Sequence, residues 1–591
     1  MSARLSLWQR SRIPLLAVIL SGAVTLVAVG LIALIRLCTN LAFHGHFSTA
    51  EAVPDFSTWG PWGILVPVIG GLIIGAMARW GSPAIRGHGI PEAMQAIGTA
   101  DSRIPARVAI LKPLSAAISI GTGGPFGAEG PIIATGGALG SLIGQWLPSS
   151  PVQRKILLAA GAAAGMTAIF GTPLAAVLLA VELLLFEYRG RSFLPVALAA
   201  GTAMALRSCF REPLPMFPLH FDRAPDLPLS AASFVVGGVC GLLAVVVTKA
   251  VYALEDAFEE LPVHWMWWPA IGGLAVGLIG WIEPRTLGVG YDNLRGLLEG
   301  NLAVKAILLL ATLKFLSWWV ALSSGTSGGT LAPLMTVGGA CGALCAHALH
   351  GIPGCADFPV GLGVLIGMAA TFAGASRAFL ASVVFAYEAS HAAGSFGPLL
   401  LGCGAAVLVS RVLMRETIMT EKLARRGVRV PSDYEPDFLE GIPVGKAMEK
   451  EPLTVGPHET VSEIALRLAT PGSPWHDVRL IPIIGADRAL LALITRADLF
   501  AALESAPHST VLEAGIEHPV TLHAEASLAE AADRMIRHGI GRIPVVDRSP
   551  VPKLIGLVTR RAILEAKRYQ LELDRLPHPH LKANRSSSAQ R

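Results

Sequence analysis

Charge is scarce in this chain. Asp, Glu, Lys and Arg make up 15% of 591 residues while 52% are hydrophobic, and the mean hydropathy is +0.56. Too few charges are present to coat a soluble protein of this size, so the chain reads as a polytopic membrane protein. Metal-ligand spacing is lacking too. The seven cysteines, Cys38, Cys209, Cys240, Cys341, Cys345, Cys355 and Cys403, are odd in number and mostly lie within apolar segments, where they read as small core residues. The apolar helices hold neither a His-Glu-x-x-His nor a Ser/His arrangement, so no enzyme, intramembrane hydrolase included, is expected. A cleavable signal peptide is missing as well: Arg4, Arg10 and Arg12 precede an apolar run at 13–35 that is long enough to span a bilayer and is expected to be retained. The net charge of +5 falls in such flanks and in a basic tail, which leaves no nucleic-acid footprint. Those three arginines, and Arg411, Arg415, Lys422, Arg425, Arg426 and Arg429 after the last apolar run, place both ends in the cytoplasm by the positive-inside rule.

What the chain has in quantity is repetition. Pro131-x4-Gly136-Gly137-Ala138-x-Gly140 recurs 202 positions later as Pro333-x4-Gly338-Gly339-Ala340-x-Gly342. Each copy opens an apolar helix where Gly and Pro have just interrupted the hydrophobic pattern, the mark of broken helices that meet near the bilayer midplane. A second pair, from Thr172 to Glu182 and from Ala378 to Glu388, repeats at an offset of 206 and ends each time on a glutamate. A polar, Pro-rich interval at 211–228 divides the two copies. The expected layout is an N-terminal segment at 1–12 and membrane repeats at 13–210 and 229–425. Parallel and inverted duplications look alike in sequence; an odd number of crossings per half would invert the second. Trp265, Trp267, Trp268, Trp318 and Trp319 are expected at membrane interfaces.

After about residue 430 the composition turns ordinary and globular, and this part is duplicated as well. Leu480-Ile-Pro-Ile-Ile484 with Leu493-Ile-Thr-Arg-Ala-Asp498 is matched by Arg542-Ile-Pro-Val-Val-Asp547 with Gly556-Leu-Val-Thr-Arg560. Two copies of helix, strand, strand, helix are expected at 443–506 and 511–568, followed by a disordered basic tail at 572–591.

An anion inside a bilayer must exchange its hydration shell for protein donors, and a helix N-terminus offers unpaired amides and about half a positive charge. Four segments fit that need: Gly87-His88-Gly89-Ile90-Pro91-Glu92, Gly127-Ala128-Glu129-Gly130-Pro131, Gly328-Gly329-Thr330-Leu331-Ala332-Pro333 and Thr417-Ile418-Met419-Thr420. Of the two copies of the twin phrase, only the first has a carboxylate at its break, Glu129. Ionised, it is itself an anion and competes with chloride for the site; protonated or displaced, it swings away, which makes it a gate.

In this order, in a duplicated membrane region followed by a duplicated soluble one, these segments resemble the CLC family of chloride channels and proton-coupled chloride transporters over nearly the whole chain. Gly87 to Pro91 resembles its Gly-Ser-Gly-Ile-Pro segment, Gly127 to Pro131 its Gly-Arg-Glu-Gly-Pro, and Gly329 to Pro333 its Gly-x-Phe-x-Pro. The soluble repeat resembles paired CBS modules. The resemblance implies an all-α polytopic membrane protein, an inverted repeat of broken, tilted helices, followed by an α/β CBS pair. It implies a homodimer in the cell inner membrane or plasma membrane, with one anion pathway per subunit, chloride as the permeant ligand and no required cofactor. The gate would be Glu129, and the anion site would be formed by His88, Gly89, Ile90, Pro91, Gly127, Ala128, Gly130, Thr330, Leu331 and Met419. In the soluble part Thr495 and Asp498 match the CBS residues that hold a ribose, while the second copy keeps Thr559 and lacks the Asp, so at most one adenine-nucleotide site is implied, the alternative being a purely structural, dimerising role.

Departures from the family pattern sharpen the expectation. His88 replaces the inner-site serine and Met419 the inner-site tyrosine, so a hydroxyl donor is lost. Ala128 stands where an arginine often precedes the gate, which is expected to lower the positive potential at the outer entrance. Leu183 occupies the place of the transporters' second, proton-carrying glutamate, while Glu182 matches a neighbouring structural acid. The leading expectation is passive conduction of chloride and other small anions through a pore gated by Glu129. A chloride/proton antiporter of the same fold is the alternative. A CBS-regulated divalent-cation channel is more distant, since it would need acidic pore residues and would place the soluble module first.

Overall fold

The computed structural model describes residues 7–210, 215–224, 226–427, 439 and 442–575. Contacts divide the chain into a unit Met1–Tyr434 and a unit Glu435–Arg591. In the first unit the helices are α1 Leu7–Thr39, α2 Leu65–Ala76, α3 Ile90–Thr99, α4 Ala106–Gly121, α5 Glu129–Trp146, α6 Pro151–Phe170, α7 Pro173–Ala180 and α8 Gly190–Arg207. They continue as α9 Leu227–Glu259, α10 Trp268–Ile282, α11 Tyr291–Leu298, α12 Val304–Ser323, α13 Leu331–Leu349, α14 Val360–Ser376, α15 Phe379–Ser390, α16 Phe396–Leu413 and the short α17 Glu421–Arg425. Each of the first eight has its counterpart eight places on, so the duplication spans the whole membrane unit and leaves only α17 unmatched. Among the described residues seven helical segments are long and apolar enough to cross a membrane. The short and interrupted ones between them are the broken helices that the Gly/Pro punctuation predicts.

The twin phrase works as a packing surface. Any Cβ added to Gly136 or Gly140 on α5 would collide with the Gly161 or Leu157 carbonyl of α6, and Gly338 and Gly342 on α13 meet the Gly367 and Gly363 carbonyls of α14 in the same way. Small residues one turn apart let two apolar helices approach backbone to backbone, which is where association energy inside lipid comes from.

The second repeated pair ties the halves together. Glu182 accepts from the Leu380 and Ala381 amides that open α15, at 3.0 and 3.0 Å. Glu388 accepts from the Leu174 and Ala175 amides that open α7, at 3.1 and 2.8 Å. Each acid therefore caps a helix of the other repeat, and the exchange is reciprocal, as a two-fold relation between the halves requires. Neither acid merely ends a helix: Glu182 lies in a π-helical turn, Val181–Leu185, that follows α7, and Glu388 lies within α15.

Two readings of the sequence need correction. Trp318 is 0% exposed and Trp268 is buried, so these two are core side chains and not interfacial anchors, whereas Trp267 is exposed. Of the cysteines, Cys240 and Cys403 are buried, but Cys209 is exposed and Cys38, Cys341, Cys345 and Cys355 are only half-buried.

The second unit holds α18 Val444–Ala447, α19 Val461–Ala469, β1 Leu480–Ile484, β2 Leu490–Thr495, α20 Arg496–Ser505, β3 Ile516–Glu517, β4 Leu522–His523, α21 Leu528–His538, β5 Arg542–Val546, β6 Leu554–Thr559 and α22 Arg560–Arg575. β1 pairs antiparallel with β2, and β5 with β6, each pairing carrying a register shift at its last residues. The copies thus repeat down to the irregularity. The basic tail expected from 572 begins inside α22, which corrects its expected disorder up to Arg575; from 576 onward it lies outside the described residues.

Replacing Glu182 or Glu388 by Leu deprives two helix-opening amides of the opposite repeat of their acceptor. Each substitution is expected to cost about 1–3 kcal/mol and to lower the thermal unfolding temperature of detergent-solubilised protein by similar amounts. A neutral melt for either variant would remove the reciprocal-cap account.

Candidate functional site

Three glycine-rich turns meet where α3, α5 and α13 begin. Gly127 N–H donates to Gly329 O at 3.2 Å and Gly329 N–H returns a bond to Gly127 O at 2.9 Å. Gly87 N–H donates to Thr326 O at 3.3 Å, and Gly328 N–H donates to Gly87 O at 3.4 Å. These ladder-like contacts pull three helix N-termini to one point inside the apolar unit, where their first amides have no intrahelical partner. A side chain on Gly130 would collide with the His88 carbonyl and the Gly329 backbone, so the convergence needs glycine. His88, Gly89, Ile90, Pro91, Gly127, Ala128, Gly130, Thr330, Leu331 and Met419, the residues that sequence reasoning singles out for the anion, are all buried.

Two lysines hold this arrangement. Lys112 on α4, 1% exposed, donates to Ile85 O at 2.8 Å and Gly87 O at 2.7 Å, just before α3. Lys314 on α12, 0% exposed, donates to Thr286 O at 2.9 Å and Gly288 O at 2.8 Å, just before α11. They occupy equivalent places in the two repeats. Each gathers two carbonyls of the turn that precedes a helix, so these buried backbone acceptors are satisfied. Sequence reading passed over them, although Leu111-Lys112-Pro113-Leu114-Ser115 and Leu313-Lys314-Phe315-Leu316-Ser317 repeat at the same 202-residue offset.

Glu129, 0% exposed, is the first residue of α5. Its Oε1 accepts from the Tyr291 hydroxyl at 2.7 Å. Its Oε2 lies against the Gly127 and Gly329 backbone and falls short of hydrogen-bonding geometry. Tyr291 and Ala128 both border a cavity of about 890 Å³ whose wall also carries Arg36, Arg207, Arg285 and Arg295. Glu51 and Asp292 share that wall and pair with Arg36 at 3.4 Å and Arg295 at 3.2 Å. The four arginines come from four separate elements, and Arg285 lies 3.9 Å from Glu283.

At the start of α3, Gly89 N–H donates to Glu92 Oε2 at 2.9 Å, and Lys422 of α17 lies 3.6 Å from Glu92 Oε1. The imidazole Nδ1 of His88 is buried with no partner among the described residues. Met419 is fully buried beside Ile418, whose carbonyl accepts from the Tyr252 hydroxyl of α9 at 2.8 Å. A tyrosine hydroxyl therefore does reach this neighbourhood, from a helix that sequence reasoning did not consider, but it is spent on the backbone. Leu183 is 4% exposed in the Val181–Leu185 turn, which packs on α3.

In the second unit Thr495 Oγ1 donates to Asp498 Oδ2 at 2.5 Å and accepts from the Asp498 amide at 3.2 Å, at the start of α20. The equivalent Thr559 accepts from the Ala562 amide at 3.2 Å.

The description "voltage gated chloride channel" matches residues 70–411. The chain belongs to that family, the CLC family. CBS domains match residues 444–505 and 513–569. A voltage-gated ClC-type chloride channel ClcB of Escherichia coli O81 is 27% identical over 64% of this chain and 90% of its own length. An H(+)/Cl(-) exchange transporter ClcA of Salmonella paratyphi B is 26% identical over 71% of this CLC chain and 90% of its own. A crystal structure of a slow cyanobacterial Cl-/H+ antiporter superposes with a TM-score of 0.63 at 22% identity, covering 70% of this chain and 98% of that one, and so shares its fold.

The unpartnered His88 nitrogen gives a direct test. His88→Ala is expected to weaken chloride binding to the detergent-solubilised protein about tenfold, the usual weight of a hydrogen bond to a charged group, and His88→Ser to recover most of it. Unchanged isotherms for both would leave the imidazole a packing role.

Proposed function

We propose that this CLC protein conducts chloride and other small anions passively, through a pathway whose gate is the Glu129 carboxylate. The observation that carries this reading is that carboxylate, buried where three helix N-termini converge and bonded to Tyr291, which borders a cavity whose wall carries four arginines. A bare carboxylate in the membrane interior is costly and is kept for function. His88, Gly89, Ile90, Pro91, Gly127, Ala128, Gly130, Thr330, Leu331 and Met419 would line the anion's route. Passive conduction is favoured over exchange because the inner position that would carry a second proton-transferring carboxylate is the buried Leu183, and the adjacent Glu182 is committed to capping α15.

Chloride/proton antiport is the second reading, supported by the exchange-transporter name of the ClcA relative. Under either reading the protein works as a homodimer in the cell inner membrane or plasma membrane, with both termini cytoplasmic and no cofactor required. The CBS pair, 443–506 and 511–568, would carry at most one adenine nucleotide: Thr495 and Asp498 sit side by side at a helix start, with an oxygen pair of the kind a ribose needs, while the second copy offers Thr559 alone.

The two transport readings separate in proteoliposomes. An outward chloride gradient is expected to drive chloride efflux with a reversal potential set by chloride alone, and stoichiometric proton uptake would instead establish antiport. Glu129→Gln is expected to leave anion flux in place and remove its dependence on pH; abolished flux would show that the anion takes another route.

A further inference from the structure

The two halves differ most where they ought to match. Gly87-His88-Gly89-Ile90 before α3 and Gly288-Val289-Gly290-Tyr291 before α11 are the same turn in the two repeats. Gly89 and Gly290 both carry the positive φ, +90° and +79°, that lets the chain swing into the helix. In the first repeat the helix opens on a plain Ile90; in the second it opens on Tyr291, whose hydroxyl reaches across to the gate of the first repeat at 2.7 Å.

We infer that Tyr291 is a latch that holds Glu129 across the anion pathway, an inference that rests on the gate reading of Glu129. The geometry is set on three sides. The Phe170 ring packs edge-on at 6.1 Å and the Phe217 ring at 5.9 Å, leaving the phenol little rotational freedom. Phe170 is itself braced by Phe385 of α15, 4.9 Å away. Behind the ring, the buried Lys314 clamps the Thr286 and Gly288 carbonyls and thus fixes the turn from which Tyr291 projects. The hydroxyl donates to one carboxylate oxygen, and the other oxygen, facing the Gly127 and Gly329 backbone, gains no hydrogen bond of its own. The seated gate therefore depends on the phenol for its one well-formed bond, and a hydrogen bond to an ionised acceptor is worth more than one to a neutral group. To open, Glu129 must release the hydroxyl, which sets an opening cost that chloride or a proton has to meet.

Tyr291→Phe keeps the ring and its aromatic neighbours and deletes only the donor. In proteoliposomes it is expected to raise chloride flux about tenfold at neutral pH, the weight of one charge-assisted hydrogen bond on the opening equilibrium. In a Glu129→Ala background, where no gate remains to hold, the same substitution is expected to change nothing. Equal effects in the two backgrounds, or reduced flux from Tyr291→Phe alone, would overturn the latch and leave Tyr291 a packing residue. Should Glu129→Ala itself leave flux and its pH dependence as in the parent, the gate reading fails; a responsive Glu129→Ala with an inert Tyr291→Phe sinks the latch alone. Size-exclusion profiles and thermal melts of each variant separate altered gating from lost folding.

Discussion

Everything in the membrane unit follows from one constraint: an anion in hydrocarbon has no water to hold it, so backbone amides must be left unpaired at the depth where it passes. An unbroken spanning helix cannot supply them, because each of its amides is already bonded four residues back. The helices must be interrupted, and the interruptions must be gathered. Glycine permits the gathering, since Gly127, Gly130 and Gly329 lie backbone to backbone. The buried lysines keep it from collapsing, because the carbonyls exposed by the same interruptions would repel an anion unless something draws them aside. Lys112 and Lys314 each draw two of them aside.

The duplication gives two nearly equivalent shells, and function lies in how they differ. Ser115 and Ser327 join across the halves at 3.0 Å, and Gly127 and Gly329 exchange bonds as equals. Upon that symmetric frame the first repeat adds a carboxylate at Glu129, and the second adds a phenol at Tyr291. The two additions meet in one hydrogen bond across the halves, and Tyr291 borders the cavity.

Much of this was legible in the sequence. The twin Pro-x4-Gly-Gly-Ala-x-Gly phrase announced the duplication because close helix packing demands glycine at fixed spacing, and Glu129 stood out because a carboxylate in apolar sequence is rare. The site's supporting groups were harder to see. Lys112 and Lys314 were hidden by attention to the breaks, although they sit in the uninterrupted helices alongside. Tyr291 was hidden by its distance, 162 positions from Glu129 along the chain; nothing local marks a tyrosine as pointing at a remote carboxylate. The arginines of the cavity come from four separate elements, so no single stretch looks basic. Trp318 misled because an indole beside an apolar run fits an interface and a core equally well in sequence, and only packing separates the two.

The reciprocal caps have a consequence for how the protein is made. The amides that open α7 are satisfied by Glu388, more than 200 residues later in synthesis. When the first repeat has entered the bilayer, that helix end waits with bare donors, and Glu182 waits as an uncompensated acid. Neither is tolerable for long in lipid. The first half thus cannot satisfy its own helix ends, and these four bonds form only when both halves are present.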